Sequence, residues 1–221
     1  MDRLHGGFVR RGDLVFDIGA HVGDRVASFH RLGARVVAVE PQPAMVWVLK
    51  LLYGRRGDVA IEAVAVGRSA GSTGMMINAD NPTVSTASPA FIGAARDAQG
   101  WETQRWTRSV EVPVTTLDAL IGKHGRPSFI KIDVEGFEAD ALAGLTRAVK
   151  ALSFEFTTIQ RDVAFACIER CITLGYTRFN AALGESQTLV HADWVGGEEI
   201  ARWVSGLPHA ANSGDIYAAL A

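Results

Sequence analysis

The chain has 221 residues, 48% apolar and 21% charged, enough to bury a core without disulfides or a structural metal. A net charge of −2 argues against a nucleic-acid partner, which would want a basic face. No stretch reaches the ~20 apolar residues that span a bilayer, and MDRLHGGFVRRGD lacks the apolar run of a signal peptide, so a cytoplasmic protein without a membrane partner is expected.

In chain order, DLVFDIG (13–19) reads as a buried strand closing on glycine, and DRVASFHRL (24–32) as a helix stopped by Gly33. ARVVAVE (34–40) is a second strand, PAMVWVLKLLY (43–53) a helix opened by Pro43, and VAIEAVAVG (59–67) a third strand. Residues 68–114 break the rhythm with Gly71, Gly74, Asn81-Pro82 and Ser88-Pro89. With its strand-like pieces GMMIN and SVEVPV, this segment reads as an inserted antiparallel hairpin or lid, too long to be a mere connection. FIKIDVEG (129–136) is the next strand, followed by a helix over 138–150 and a strand over 151–157. A helix near 160–174, a strand over 176–183, a helix near 197–205 and a strand over 215–220 complete the pattern. Cys167 and Cys171 share one face of the first of these helices, where a mutual disulfide is geometrically poor and no ligand spacing for a metal exists, so both read as buried thiols.

Apolar strands alternating with amphipathic helices imply a Rossmann-like α/β fold, a single domain over 1–221 with a mostly parallel sheet covered on both faces. Right-handed crossovers put the strands' C-terminal ends on one edge, where ligands bind. Asp17, Glu40 and Asp133 all fall at that edge and should converge.

The first of these acids opens the loop DIGAHVG (17–23), a D-x-G-x-x-x-G pattern in place of the G-x-G-x-x-G of dinucleotide sites. An ionised acid there repels a pyrophosphate and suits a cationic ligand. S-adenosylmethionine, with an ammonium, a sulfonium and no phosphate, fits; Asp17 would hold the ammonium while Gly19 and Gly23 admit a close backbone approach. The alternative is that Asp17 caps the turn. Glu40, seventeen residues past Gly23, stands where nucleotide-binding folds put an acid on the ribose hydroxyls, or else is a solvated strand-end glutamate.

DIGAHVGD, VVAVEPQP, AVAVG, TTLDAL and FIKIDVEGFEADAL, in this order over residues 13–157, resemble the FkbM-type methyltransferases. The resemblance implies a seven-stranded class I methyltransferase sheet with its last strand antiparallel. It also implies methyl transfer from S-adenosylmethionine, typically to an oxygen of a small-molecule acceptor such as a sugar or polyketide-like natural product. It puts cofactor contacts at Asp17, Gly19 and Glu40, Ala65 beside the adenine, and Asp133 beside the methyl group and acceptor. His21 stands where the family often has asparagine and reads as a surface or packing residue.

In-line methyl transfer needs alignment, exclusion of water and, for an alcohol, a base. Asp133 is expected as the acceptor-side catalytic group with Glu135 beside it, two carboxylates whose proximity should raise one pKa. Glu138 supports them or stabilises the first turn of its helix, Glu155 ends the next strand at the same edge, and Lys131 pairs structurally with an acid. No second strand-end acid pair stands at clear spacing, so no metal is expected. Phe91, Trp101 and Trp106 in the insertion either cover the acceptor or pack on the sheet or on a second subunit of a homodimer. The competing readings are an NAD-dependent oxidoreductase on the same architecture and a binding scaffold that has lost catalysis.

Overall fold

The computed structural model describes residues 1–221. A short helix α1 (Asp2–His5) precedes β1 (Leu14–Ile18), α2 (Asp24–Arg31), β2 (Arg35–Val39), α3 (Pro43–Tyr53) and β3 (Val59–Glu62). The chain then leaves the main layer through β4 (Ala65–Val66), β5 (Gly71–Ile77), α4 (Pro89–Arg96) and β6 (Arg108–Thr115). It returns through α5 (Leu117–His124) to β7 (Phe129–Ile132), α6 (Glu138–Ala143) and β8 (Ala151–Thr157). The remainder is α7 (Arg161–Leu174), β9 (Arg178–Leu183), α8 (Gly197–Gly206) and β10 (Ser213–Ala219).

Seven strands form one sheet in the order β3-β2-β1-β7-β8-β10-β9. The first five are mutually parallel, and β10 alone runs antiparallel, pairing with both β8 and β9. The order reverses between β1 and β7, which opens a crevice at their C-terminal ends. Alternation along β1 sorts the core: Phe16 and Ile18 face one side with Leu117, Leu142 and Ile168 of α5–α7, while Val15 faces the other with Leu4, Phe29 and Leu49 of α1–α3. Burial on both faces is why these strands read as continuous apolar runs. No helix is long and apolar enough to cross a membrane.

The insertion is the expected antiparallel pair, β5 with β6, extended by β4 into a second sheet of order β4-β6-β5. Three expectations change in detail. The strand over 59–67 is two strands in two different sheets. The strand over 129–136 stops at Ile132, because Glu135 (φ 54°) and Gly136 (φ 86°) turn the chain through the left-handed region. The helix over 138–150 stops at Ala143, where Gly144 packs so closely that a Cβ would lie 2.4 Å from the Gly67 carbonyl. Helices α4 and α5 carry local caps: Ser88 Oγ accepts from Phe91 N–H and Thr116 Oγ1 from Ala119 N–H. Cys167 and Cys171 are buried free thiols.

Candidate active site

β1 ends in the turn Gly19–Gly23, whose first residues are pinned by Gly19 N–H and Ala20 N–H donating to the Val39 carbonyl of β2. Gly19, at φ 84°, passes so close to the end of β7 that a Cβ would lie 1.7 Å from the Asp133 carbonyl oxygen. Glycine is thus demanded by the approach of two loops of the chain itself. Gly23 does not itself line the cavity, although its neighbours Val22 and Asp24 do. Its absent side chain makes room for α3, since a Cβ there would meet Tyr53 at 2.7 Å, and the Tyr53 hydroxyl donates to the Gly23 carbonyl at 3.1 Å.

Glu40, 2% exposed, holds the turn from the other side. Its Oε2 accepts from His21 N–H at 2.9 Å and its Oε1 from Gln42 N–H at 2.8 Å. His21, at φ 46°, therefore has a main-chain role that its side-chain type did not signal. Burial raises the Glu40 pKa to about 7, against these two hydrogen bonds. Asp17, within β1 and 1% exposed, lies beneath the turn and does not itself line the cavity. Its Oδ2 has no hydrogen-bond partner, and burial pushes its pKa up to about 7 despite the charges of Arg25 and Lys131.

The cavity encloses about 450 Å³ and brings together Gly19, Glu40, Ala65, Asp133, Glu135 and Glu155. Ala65 sits in an apolar wall with Val64, Val66 and Met75, formed where the chain crosses into the small sheet. The opposite wall is acidic. Oxygens of Asp133, Glu135 and Glu155 lie within 4.8 Å of one another, a spacing at which carboxylates share protons or a hard cation.

These acids are held unequally. Lys131, 1% exposed in β7, donates to Asp133 Oδ2 at 3.1 Å and to Asp215 Oδ1 at 2.7 Å. The Arg25 guanidinium lies 3.9 Å from Asp133 and 3.0 Å from Glu185. Burial opposes ionisation of Asp133, but the charges of Lys131 and Arg25 outweigh it and hold its pKa below the usual carboxylate range. Glu135 and Glu155 lack so close a cation. Burial, and then repulsion from Asp133, pushes both well above that range. Glu138 shapes the turn: its Oε1 accepts from Val134 N–H at 2.9 Å and Gly136 N–H at 3.2 Å.

Sequence reasoning missed Arg25, Asp215 and the strip of small residues in the insertion, Thr83, Ser85 and Ala87, which lines the cavity. Phe91 is buried between Trp101 and Trp106 in edge-to-face contacts at 5.4 and 6.3 Å, so these aromatics form the insertion's own core and do not line the cavity.

Among solved structures, the fold resembles a TehB-like SAM-dependent methyltransferase from Corynebacterium glutamicum (12% identity, 100% of this chain and 86% of that one, TM-score 0.50). It also aligns with precorrin-6y C5,15-methyltransferase from Geobacter metallireducens (14% identity, 99% and 85%, TM-score 0.46). A third alignment is with Aeropyrum pernix fibrillarin in complex with natively bound S-adenosyl-L-methionine (8% identity, 96% and 68%, TM-score 0.47). At 12% identity the first of these likenesses speaks for the fold alone. No curated protein matches the sequence. Residues 17–198, from the acid beneath the glycine turn to the first turn of α8, match the methyltransferase FkbM domain, and the chain belongs to that family, whose methyl donor is S-adenosylmethionine.

Proposed function

We propose that this enzyme methylates a hydroxyl oxygen on a sugar or polyketide-like small molecule. The observation that carries the reading is the cluster Asp133, Glu135 and Glu155, set in the wall of the same cavity as Gly19, Glu40 and Ala65. A hydroxyl keeps its proton until it reacts and needs a group to take it.

The residues fit the methyl donor. The unpartnered Oδ2 of Asp17 lies beneath the glycine turn, and a buried acid there favours an ammonium through water. Each Glu40 oxygen accepts one main-chain N–H and keeps a second lone pair for ribose hydroxyls. The wall around Ala65 suits an adenine face. The same acids disfavour the pyrophosphate of a dinucleotide, so the oxidoreductase reading loses its support.

When bound, the cofactor supplies a methyl group on a positively charged sulfur. The chain's own residues handle the acceptor. Asp133, kept ionised by Lys131 and Arg25, accepts the hydroxyl hydrogen and takes the proton as the oxygen forms its bond to carbon. Glu135 and Glu155, kept protonated, donate to neighbouring oxygens of a polyol and orient it. A cytoplasmic setting, where Cys167 and Cys171 stay reduced, goes with this reading.

The test is methyl transfer from isotope-labelled S-adenosylmethionine to a panel of monosaccharides, glycosides and polyketide alcohols, with products located by mass spectrometry. Asp133→Asn should keep donor affinity by calorimetry and lose roughly 100-fold or more in rate. Methylation at nitrogen or carbon, or an unchanged rate in the variant, would refute the reading.

A further inference from the structure

Outside the catalytic cavity, the insertion carries a groove of about 460 Å³ between α4 and residues 101–106. Its lining is unlike ordinary surface: Trp101 and Trp106, two guanidinium groups from Arg96 and Arg105, the carboxylate of Glu102 and the amide of Gln104. The volume is that of a small-molecule site and is too small for a partner helix.

The groove is built rigidly. The Trp106 indole N–H donates to the Val84 carbonyl at 2.8 Å, and both indoles pack edge-to-face on the buried Phe91. Gln104 Oε1 accepts from Asn78 Nδ2 at 2.8 Å, and His209 ties the preceding loop through the Gln99 carbonyl at 3.0 Å. Its charge balance is positive. The Glu102 carboxylate already accepts from Gly100 N–H at 2.9 Å. Arg105 uses one nitrogen on the carbonyls of Glu102 and Gln104 and keeps the other, while Arg96 stands exposed on α4. Flat aromatic faces beside forked cationic donors suit a ring that is apolar on its face and anionic at its edge.

The groove also shares a wall with the catalytic cavity. Thr83 and Ser85 line the cavity, while the carbonyl of Val84 between them anchors Trp106 in the groove. We propose that the groove binds an acidic sugar residue, its ring stacked on an indole and its carboxylate held by Arg96 and Arg105. It serves as a second subsite for a glycan whose neighbouring sugar is methylated. The inference rests on the carbohydrate reading of the acceptor. It narrows that acceptor to an oligosaccharide containing a uronate, whose charge is met by the two guanidinium groups of the groove.

The test uses the full chain and three probes: trigalacturonate, maltotriose and inorganic phosphate, followed through the indole N–H resonances of Trp101 and Trp106. Trigalacturonate should give saturable millimolar shifts, with maltotriose roughly tenfold weaker. Trp101→Ala should weaken trigalacturonate about tenfold, the weight of one stacked ring, with S-adenosylmethionine affinity unchanged. Because Trp101 packs on Phe91, Arg96→Ala serves as a second variant on an exposed side chain and should abolish the preference for the acidic sugar. No saturable shift with either sugar, equal shifts with phosphate, or wild-type binding in both variants would overturn the proposal. Groove binding without methylation of any sugar hydroxyl would refute the catalytic reading and with it the subsite role, while upholding the groove as a site for an acidic sugar. Methylation of monosaccharides without groove binding would retire the groove alone.

Discussion

The Thr86 hydroxyl donates to the main-chain carbonyl of Glu135 at 2.6 Å, joining the insertion to the turn that carries an acceptor-side carboxylate. Thr86 is fully buried, and its oxygen also accepts from Ser88 N–H at 2.8 Å, so the hydroxyl is fixed from both sides. Glu135 occupies a left-handed backbone conformation that a non-glycine residue holds only when its surroundings enforce it. The insertion therefore sets the geometry of the carboxylate cluster as well as lining the cavity.

Thr86→Val keeps the shape of the side chain and removes the donor. Loss of one buried hydrogen bond costs about 1 kcal/mol, which should appear as roughly a fivefold fall in kcat. Donor affinity, governed by the opposite wall, should not change. Steady-state kinetics beside calorimetry check this. An equal loss of both would mean that Thr86 supports the fold and not the cluster.

Gly19→Ala should be far more costly than Gly12→Ala. Both glycines have φ near 85° and suffer the same backbone penalty, on the order of 1 kcal/mol. At Gly12 a Cβ would meet nothing within 4 Å, whereas at Gly19 it would collide with the Asp133 carbonyl. Urea unfolding should show at least about 3 kcal/mol lost at Gly19. Similar losses at both positions would remove close approach as the reason for that glycine.

The strands of the main sheet were legible because burial on both faces leaves runs such as LVFDI and RVVAV with a single polar residue each. Once the strands were placed, chain topology alone carried Glu40 and Asp133 to one edge. Lys131 was legible as the partner of an acid, but the more distant partners were not. Lys131 meets Asp215 from 84 residues away and Thr86 meets Glu135 from 49, distances over which no local pattern speaks. The turn after Ile132 was hidden too, since glutamate gives no signal for positive φ. Helices α4 and α5 are a different case. Ser88-Pro89 and Thr116 are start signals that a sequence can show, but in α4 they were masked by the neighbouring turn residues.

Lys131→Met should test what keeps Asp133 ionised. Removing the ammonium leaves two carboxylates, Asp133 and Asp215, without their shared partner, at a cost of about 3–5 kcal/mol. Any folded variant should relieve that cost by protonation, so the acid limb of its pH–rate profile should move to higher pH. The wild-type limb should lie below the ordinary carboxylate range, as the depressed Asp133 pKa requires. An unmoved limb in the variant would show that another carboxylate is the base.

Stability should fall as pH rises through the neutral range. Asp17, Glu40 and Glu138 have folded-state pKa values of about 7 against reference values of 3.8 and 4.5. Across that window each holds a proton in the folded state that the unfolded chain has released, so its contribution is complete below the reference value and lost as pH passes about 7. The scale is on the order of 3 kcal/mol per group. Glu135 and Glu155, raised further, act in the same direction. Two histidines oppose them: buried His5, lowered to about 3, and half-buried His21, also lowered, favour folding as pH rises, but only up to the ordinary histidine range. Asp133, held low, acts below the window. The ligand-free Tm should therefore fall between about pH 5 and pH 8. Asp17→Asn, neutral at every pH, should flatten the slope. A Tm that climbs over this range would mean that these acids ionise more readily in the folded protein than in the unfolded chain, so that burial does not raise their pKa values.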